Sequence, residues 1–92
     1  MFGVFKSYGV EPRFRKILID VLELASSDIK PHSTFVELGV DRFTTVEIIL
    51  RAETEFNLYI ADDAWHKLVT VNDSVNYISE RIRDNKRSFW KL

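Results

Sequence analysis

Leu38-Gly39-Val40-Asp41-Arg42-Phe43-Thr44-Thr45-Val46-Glu47-Ile48-Ile49-Leu50-Arg51-Ala52-Glu53-Thr54-Glu55-Phe56-Asn57-Leu58-Tyr59-Ile60 reads as a tight turn feeding one strong helix. Gly39 suits a left-handed or close-packed turn, where a side chain is in the way, and Asp41 is a good N-cap for the helix. Phe43, Val46, Ile49, Leu50 and Phe56 then recur at helical spacing, with Glu47, Arg51 and Glu55 between them. That pattern predicts an amphipathic helix with those five residues as its apolar stripe, and Asn57 as its C-terminal stop.

Working back from this stretch, Phe35, Val36 and Leu38 are expected to fasten a long loop over the core. Before that loop, Phe14, Ile17, Leu18, Val21, Leu22 and Ala25 form a first helical stripe. Pro12 fits the first turn of that helix, where its missing amide hydrogen would lack a partner anyway. The polar group Ser26-Ser27-Asp28 is expected to close it, and Pro31 prevents simple continuation. Working forward, Asp62 and Asp63 begin a short third helix with Ala64, Trp65 and Leu68, their charge complementing its dipole. Thr70 or Asn72 caps a last helix whose buried stripe is Val71, Val75, Ile78 and Ile82. The prediction is an all-α, four-helix bundle with a short third helix, and no strand is needed.

Ninety-two residues make one small domain, without internal repeats, near the lower end of what a hydrophobic core stabilises unaided. Residues 1–10 read as an N-terminal extension, 11–83 as the folded domain and 84–92 as a basic, aromatic C-terminal tail. There is no cysteine, so neither a disulfide framework nor a thiolate metal site is available. His32 and His66 are too few and too isolated for zinc, and both are expected on the surface. No apolar run approaches the roughly 20 residues that span a bilayer.

The net charge of −1 hides an uneven distribution. Asp41, Glu47, Glu53, Glu55, Asp62 and Asp63 are balanced only by Arg42 and Arg51, whereas the ends carry Lys6, Arg13, Arg15 and Lys16, then Arg81, Arg83, Lys86, Arg87 and Lys91. An acidic centre between basic ends is either polarised for docking or an ordinary set of solvated helix faces. Residues 1–10 lack acids, as mitochondrial presequences do, but hold one basic residue and poor helical spacing. They read as a weak address signal or as a segment lying against a neighbour. In the tail, Phe89 and Trp90 either anchor a partner or fold back on the domain.

The central stretch resembles the acyl and peptidyl carrier proteins, whose signature is Leu-Gly-x-Asp-Ser-Leu followed by a helix with a Val-Glu pair and an acidic-Phe ending. Leu38, Gly39, Asp41, Val46, Glu47, Glu55 and Phe56 match, and the likeness runs on to Tyr77-Ile78 and, more loosely, back over the first helix. The resemblance implies a four-helix carrier fold in which a serine at the start of the second helix accepts phosphopantetheine. Arg42 stands at that position. A guanidinium stays protonated at neutral pH and has no hydroxyl to give, and a cation at a helix N-terminus opposes the dipole. Arg42 is expected either to pair with an anionic partner or to be solvated. Thr44 and Thr45 offer hydroxyls nearby but point from other sides of the helix.

No glycine-rich phosphate loop, Ser-His-Asp set or helix-borne histidine pair points to catalysis, and the acidic centre argues against nucleic-acid binding. The expectation is a non-enzymatic, carrier-like domain without metal or phosphopantetheine, acting as a structural or protein-binding subunit. Its candidate contacts are Glu47, Arg51, Glu53, Asp62 and Asp63, with Trp65, Phe89 and Trp90 as apolar anchors. Val46-Glu47-Ile48-Ile49 and Glu53 to Phe56 look like the second helix of mitochondrial carriers. That resemblance implies an accessory subunit of respiratory complex I docking an LYR-motif helical protein, and a mitochondrial rather than cytoplasmic location. Two alternatives stand beside it: a functioning carrier in fatty-acid or polyketide synthesis, and a free regulator that competes with true carriers.

Overall fold

A computed structural model describes the backbone of residues 2–91 and the side chains of residues 9–86. Among the described residues there are four α-helices: α1 (Phe2–Leu22), α2 (Arg42–Phe56), the single turn α3 (Asp62–Trp65) and α4 (Val71–Lys91). A 3-10 turn, Ser26–Asp28, lies in the loop between α1 and α2. The architecture is all-α, as the apolar spacing predicts, with α1 packed against both α2 and α4.

The first helix does not begin at Pro12. It starts at Phe2 and carries Pro12 in its interior. Val10 explains the difference, because it is buried beside Phe14 in the core and reaches that position one turn earlier on the same helical face. Pro12 lies on the exposed side of the turn. The helix also stops earlier than expected: Glu23 adopts a left-handed φ of 56°, and the Leu24 amide donates to the Ile19 carbonyl. This is a Schellman-type ending, and it leaves Ala25 extended and exposed instead of continuing the stripe. At the other end of the chain α4 runs past Ile82, so the backbone is helical across both the 10/11 and 83/84 boundaries.

The loop from Glu23 to Asp41 is tied down by two buried side chains, Ile29 and Phe35. Phe35 is buried with its ring edge-on to Phe14 at 6.4 Å and tilted over Trp65 at 5.2 Å. Backbone bonds reinforce it, from Phe35 N–H to the Val69 carbonyl and from Val71 N–H to the Ser33 carbonyl, making an isolated antiparallel bridge between Thr34 and Thr70. Leu38 is half-buried against the core, as expected. Val36 is 86% exposed, because the turn that drives Phe35 inward turns its neighbour out.

The apolar stripe of α2 also differs from the expected one. Ile49 and Phe56 are buried, joined by Ile48 and Ala52, while Phe43, Val46 and Leu50 are exposed. The helix carries two apolar stripes, and the core takes only one. In α4 the stripe is as expected, with Val71 and Ile78 buried and Val75 and Ile82 packed against the core.

Chemical denaturation separates these roles. Phe14→Ala removes a fully buried ring and is expected to cost about 3–5 kcal/mol, whereas Phe43→Ser should stay within about 0.5 kcal/mol of the parent. Ser74→Ala is expected to hold or raise stability, because the Ser74 hydroxyl is buried without a hydrogen-bond partner.

Candidate functional site

The start of α2 is built by three local devices. Gly39 turns the chain with a left-handed φ of 83°, a conformation in which a Cβ is strained although space for it exists. Asp41 then caps the helix in a reciprocal box: its carboxylate accepts from the Thr44 amide at 2.9 Å, and its own amide donates to the Thr44 hydroxyl oxygen at 2.8 Å. The helix ends where Asn57 takes a left-handed φ of 54° and the Leu58 amide returns to the Glu53 carbonyl. Both ends are therefore fixed by residues legible in the sequence.

Arg42 is the first residue of α2, directly behind the cap, and is exposed. Its guanidinium carbon lies 6.0 Å from the Phe43 ring centre, and it makes no ion pair among the described residues. Residue 42 supplies no hydroxyl, so its chemistry does not fit a phosphodiester link. The hydroxyl of Thr44 is held by Asp41, and Thr45 is half-buried on another side of the helix.

The six acids of the centre, which the sequence leaves as either polarised for docking or part of ordinary solvated helix faces, fall into different groups. Glu47 pairs with Arg51 one turn on at 2.9 Å. Glu55 pairs with Arg13 of α1 at 2.6 Å, and Arg13 also donates to the Glu55 carbonyl and lies 4.6 Å over the Phe56 ring. Glu53 turns inward, accepting from the Ile60 amide at 2.8 Å, so it fixes the chain leaving α2. Asp41 serves the cap, and Asp62 and Asp63 stand exposed in the first turn of α3. Sequence reading missed Arg13, whose only signal was its basic charge one turn before Ile17.

Trp65 is not presented to a partner. It is 5% exposed and stacks on Phe35, because the single turn of α3 lies across the core and needs its large ring to close that side. The apolar side chains that do face solvent here are Phe43, Val46 and Leu50, which the sequence assigned to the core. The side chains of Phe89 and Trp90 lie outside the described residues. His32 and His66 are exposed, as expected, and no group of metal-ligating residues occurs among the described ones. No helix among them is long and apolar enough to cross a membrane.

Three carboxylates are held below their usual range by donated hydrogen bonds: Asp41 by the Thr44 amide and hydroxyl, Glu37 by the Thr34 amide and hydroxyl, and Asp73 by the Thr70 and Val69 amides. A lowered folded pKa stabilises the fold above the unfolded value, about 4 for these groups, and that contribution is lost as pH falls through the folded value. Helical content should therefore decline below about pH 4, and Asp41→Asn, which keeps a capping oxygen but does not titrate, should flatten that decline. Circular dichroism against pH at fixed denaturant measures it.

Comparison with known proteins places these features in a wider set. The family described as a phosphopantetheine attachment site matches residues 12–78, from the turn after Val10 to the buried Ile78 of α4. The acyl carrier proteins of two strains of Nitratidesulfovibrio vulgaris, DP4 and Hildenborough, are each 37% identical to this chain over 74 residues, covering 79% of the chain and 97% of the relative.

Proposed function

The chain belongs to the acyl carrier family, that of the phosphopantetheine attachment site, and from that premise we propose that it acts as a carrier-fold docking protein with no prosthetic arm on residue 42. One observation carries the reading. Behind the Asp41 cap, where the family motif puts its serine, the first residue of α2 is an exposed arginine. The nearest hydroxyls are poor substitutes, since Thr44 is bound into the capping box and Thr45 is half-buried. Beside Arg42, α2 presents Phe43, Val46 and Leu50 to solvent, and an apolar face on a capped, well-anchored helix is suited to protein recognition.

A second reading, a functioning carrier loaded at another residue, is favoured by the same kinship, because the family match spans the whole of α2 and the named relatives are acyl carrier proteins. A free regulator that occupies the enzymes of true carriers is a variant of the docking reading. The narrower placement, an accessory subunit of a mitochondrial respiratory complex beside an LYR-motif helical partner, draws on the resemblance of residues 46–49 and 53–56 to mitochondrial carriers. An unmodified chain co-purifying from mitochondria in a stoichiometric complex would support it.

Treatment with a phosphopantetheinyl transferase and coenzyme A, followed by intact mass, distinguishes the first two readings. The chain is expected to keep its mass, and Arg42→Ser to gain one phosphopantetheine. A gain by the unaltered chain would overturn the armless reading, and fragmentation would then locate the loaded residue.

A further inference from the structure

We propose that the pole of the domain where α1 begins and α4 ends is a membrane-surface site that seats on anionic phospholipid. Contacts among the described residues put both helix ends at that pole. Arg13, early in α1, bonds Glu55 and lies over the Phe56 ring at the end of α2. The α4 backbone starts at the other end of the domain, where the Val71 and Asn72 amides donate to the Ser33 and Pro31 carbonyls of the loop. Further along α4, Arg81 donates to the Tyr59 carbonyl, just past the end of α2. α1 therefore runs outward from Val10 toward Phe2, and α4 outward from Ile82 toward Lys91. Val10 and Ile82 are the outermost apolar residues of these helices packed in the core among the described ones, and each backbone continues roughly 12–14 Å beyond them. The pole lies at the end of α2 away from Arg42, so it is independent of what residue 42 does.

The two extensions divide the chemistry of a bilayer interface between them. Residues 1–10 include Phe2, Val4, Phe5 and Tyr8, with Lys6 and no acid. Residues 81–92 carry Arg81, Arg83, Lys86, Arg87 and Lys91 against Asp84 alone, and add Phe89 and Trp90. Residues 11–80 hold seven cations and thirteen acids, so the pole is positive and the body negative. That segregation orients the domain in the field of an anionic membrane, pole toward the surface and body away. Arg83 is exposed, and Arg81 bonds a carbonyl and the Tyr77 hydroxyl, which leave its charge intact.

A nucleic acid would also attract the cations of α4. Residues 1–10, however, offer one cation among apolar and aromatic residues, which a phosphate backbone does not use. A bilayer interface takes both halves: headgroup phosphates accept from arginine and lysine, and aromatic residues partition at the boundary beneath them. No helix among the described residues is long and apolar enough to cross a bilayer, so the chemistry fits contact with its surface.

Flotation of the full 92-residue chain with vesicles of phosphatidylcholine, alone or with about one-third phosphatidylserine, tests this. Binding is expected to favour the anionic vesicles and to fall as sodium chloride is raised. Arg83→Gln combined with Arg87→Gln is expected to lower that affinity about twentyfold, while Lys67→Gln, which removes an exposed cation beside α3, should leave it unchanged. Vesicles should also shift tryptophan emission to the blue, and Trp90→Phe should abolish the shift, because Trp65 is already buried. Charge-dependent binding with unshifted emission would overturn the part given to the aromatic residues. Equal binding to both vesicle types, equal loss in Lys67→Gln, or no binding at all would overturn the site. Capture of a duplex oligonucleotide without vesicle binding would make the partner a nucleic acid and overturn the membrane surface. Circular dichroism of each variant guards against loss of fold.

Discussion

Phe35 is the contact on which the geometry of the molecule depends. The chain between α1 and α2 is long, and such a loop has no regular ladder of its own to hold it. Its deep anchors are Ile29, buried in the core, and the Phe35 ring between Phe14 of α1 and Trp65 of α3, seconded by the bridge to the start of α4. One aromatic side chain therefore joins three helices and fixes the direction from which the backbone reaches Gly39. From there the left-handed turn and the Asp41 box have little freedom, and Arg42 is delivered to the surface at the first position of α2.

Local signals of this kind were legible in the sequence because each has a short-range physical cause. Gly39 and Asn57 do take positive φ, Asp41 does cap, and Thr70, rather than Asn72, accepts from the Asp73 amide at the start of α4. Asp62 and Asp63 stand in the first turn of α3. The start of α1 was not legible, since a proline in a first turn and a proline on the exposed side of a longer helix have the same local chemistry. Only the burial of Val10, a tertiary fact, separates them.

The central helix shows where periodicity stops being informative. Ile48, Ile49, Ala52 and Phe56 share one side of α2, and Phe43, Val46 and Leu50 share another, roughly 140° away at about 100° per residue. Each set alone satisfies the spacing of a buried stripe. Mixing members of both, as a sequence reading does, produces a convincing face that does not exist. The burial of Trp65, offered by the sequence as an apolar anchor for a partner, was not legible for a related reason: an indole on a one-turn helix has no periodicity at all, and the decision belongs to its packing against Phe35. Both errors bear on function, because they exchanged the residues that hold the fold with those free to meet another protein.

The electrostatics of α2 arise from the same packing. Counted along the chain, the centre is acidic, yet the fold turns Glu53 inward to hold Ile60 and brings Arg13 across from α1 to Glu55, while Glu47 finds Arg51 within the helix. Exposed pairs of this kind contribute little stability, but they give Glu47 and Glu55 cationic partners within the fold itself. Against that background, an arginine at the first position of α2 is unfavourable for the helix by a few tenths of a kcal/mol to about 1, since it sits at the positive end of the dipole. The Asp41 box secures the helix start despite this, with its carboxylate on the Thr44 amide and the Thr44 hydroxyl on its own. The cation thus stands beside an apolar stripe, near the Phe43 ring and without an ion pair among the described residues, where local helix energetics would not have put it.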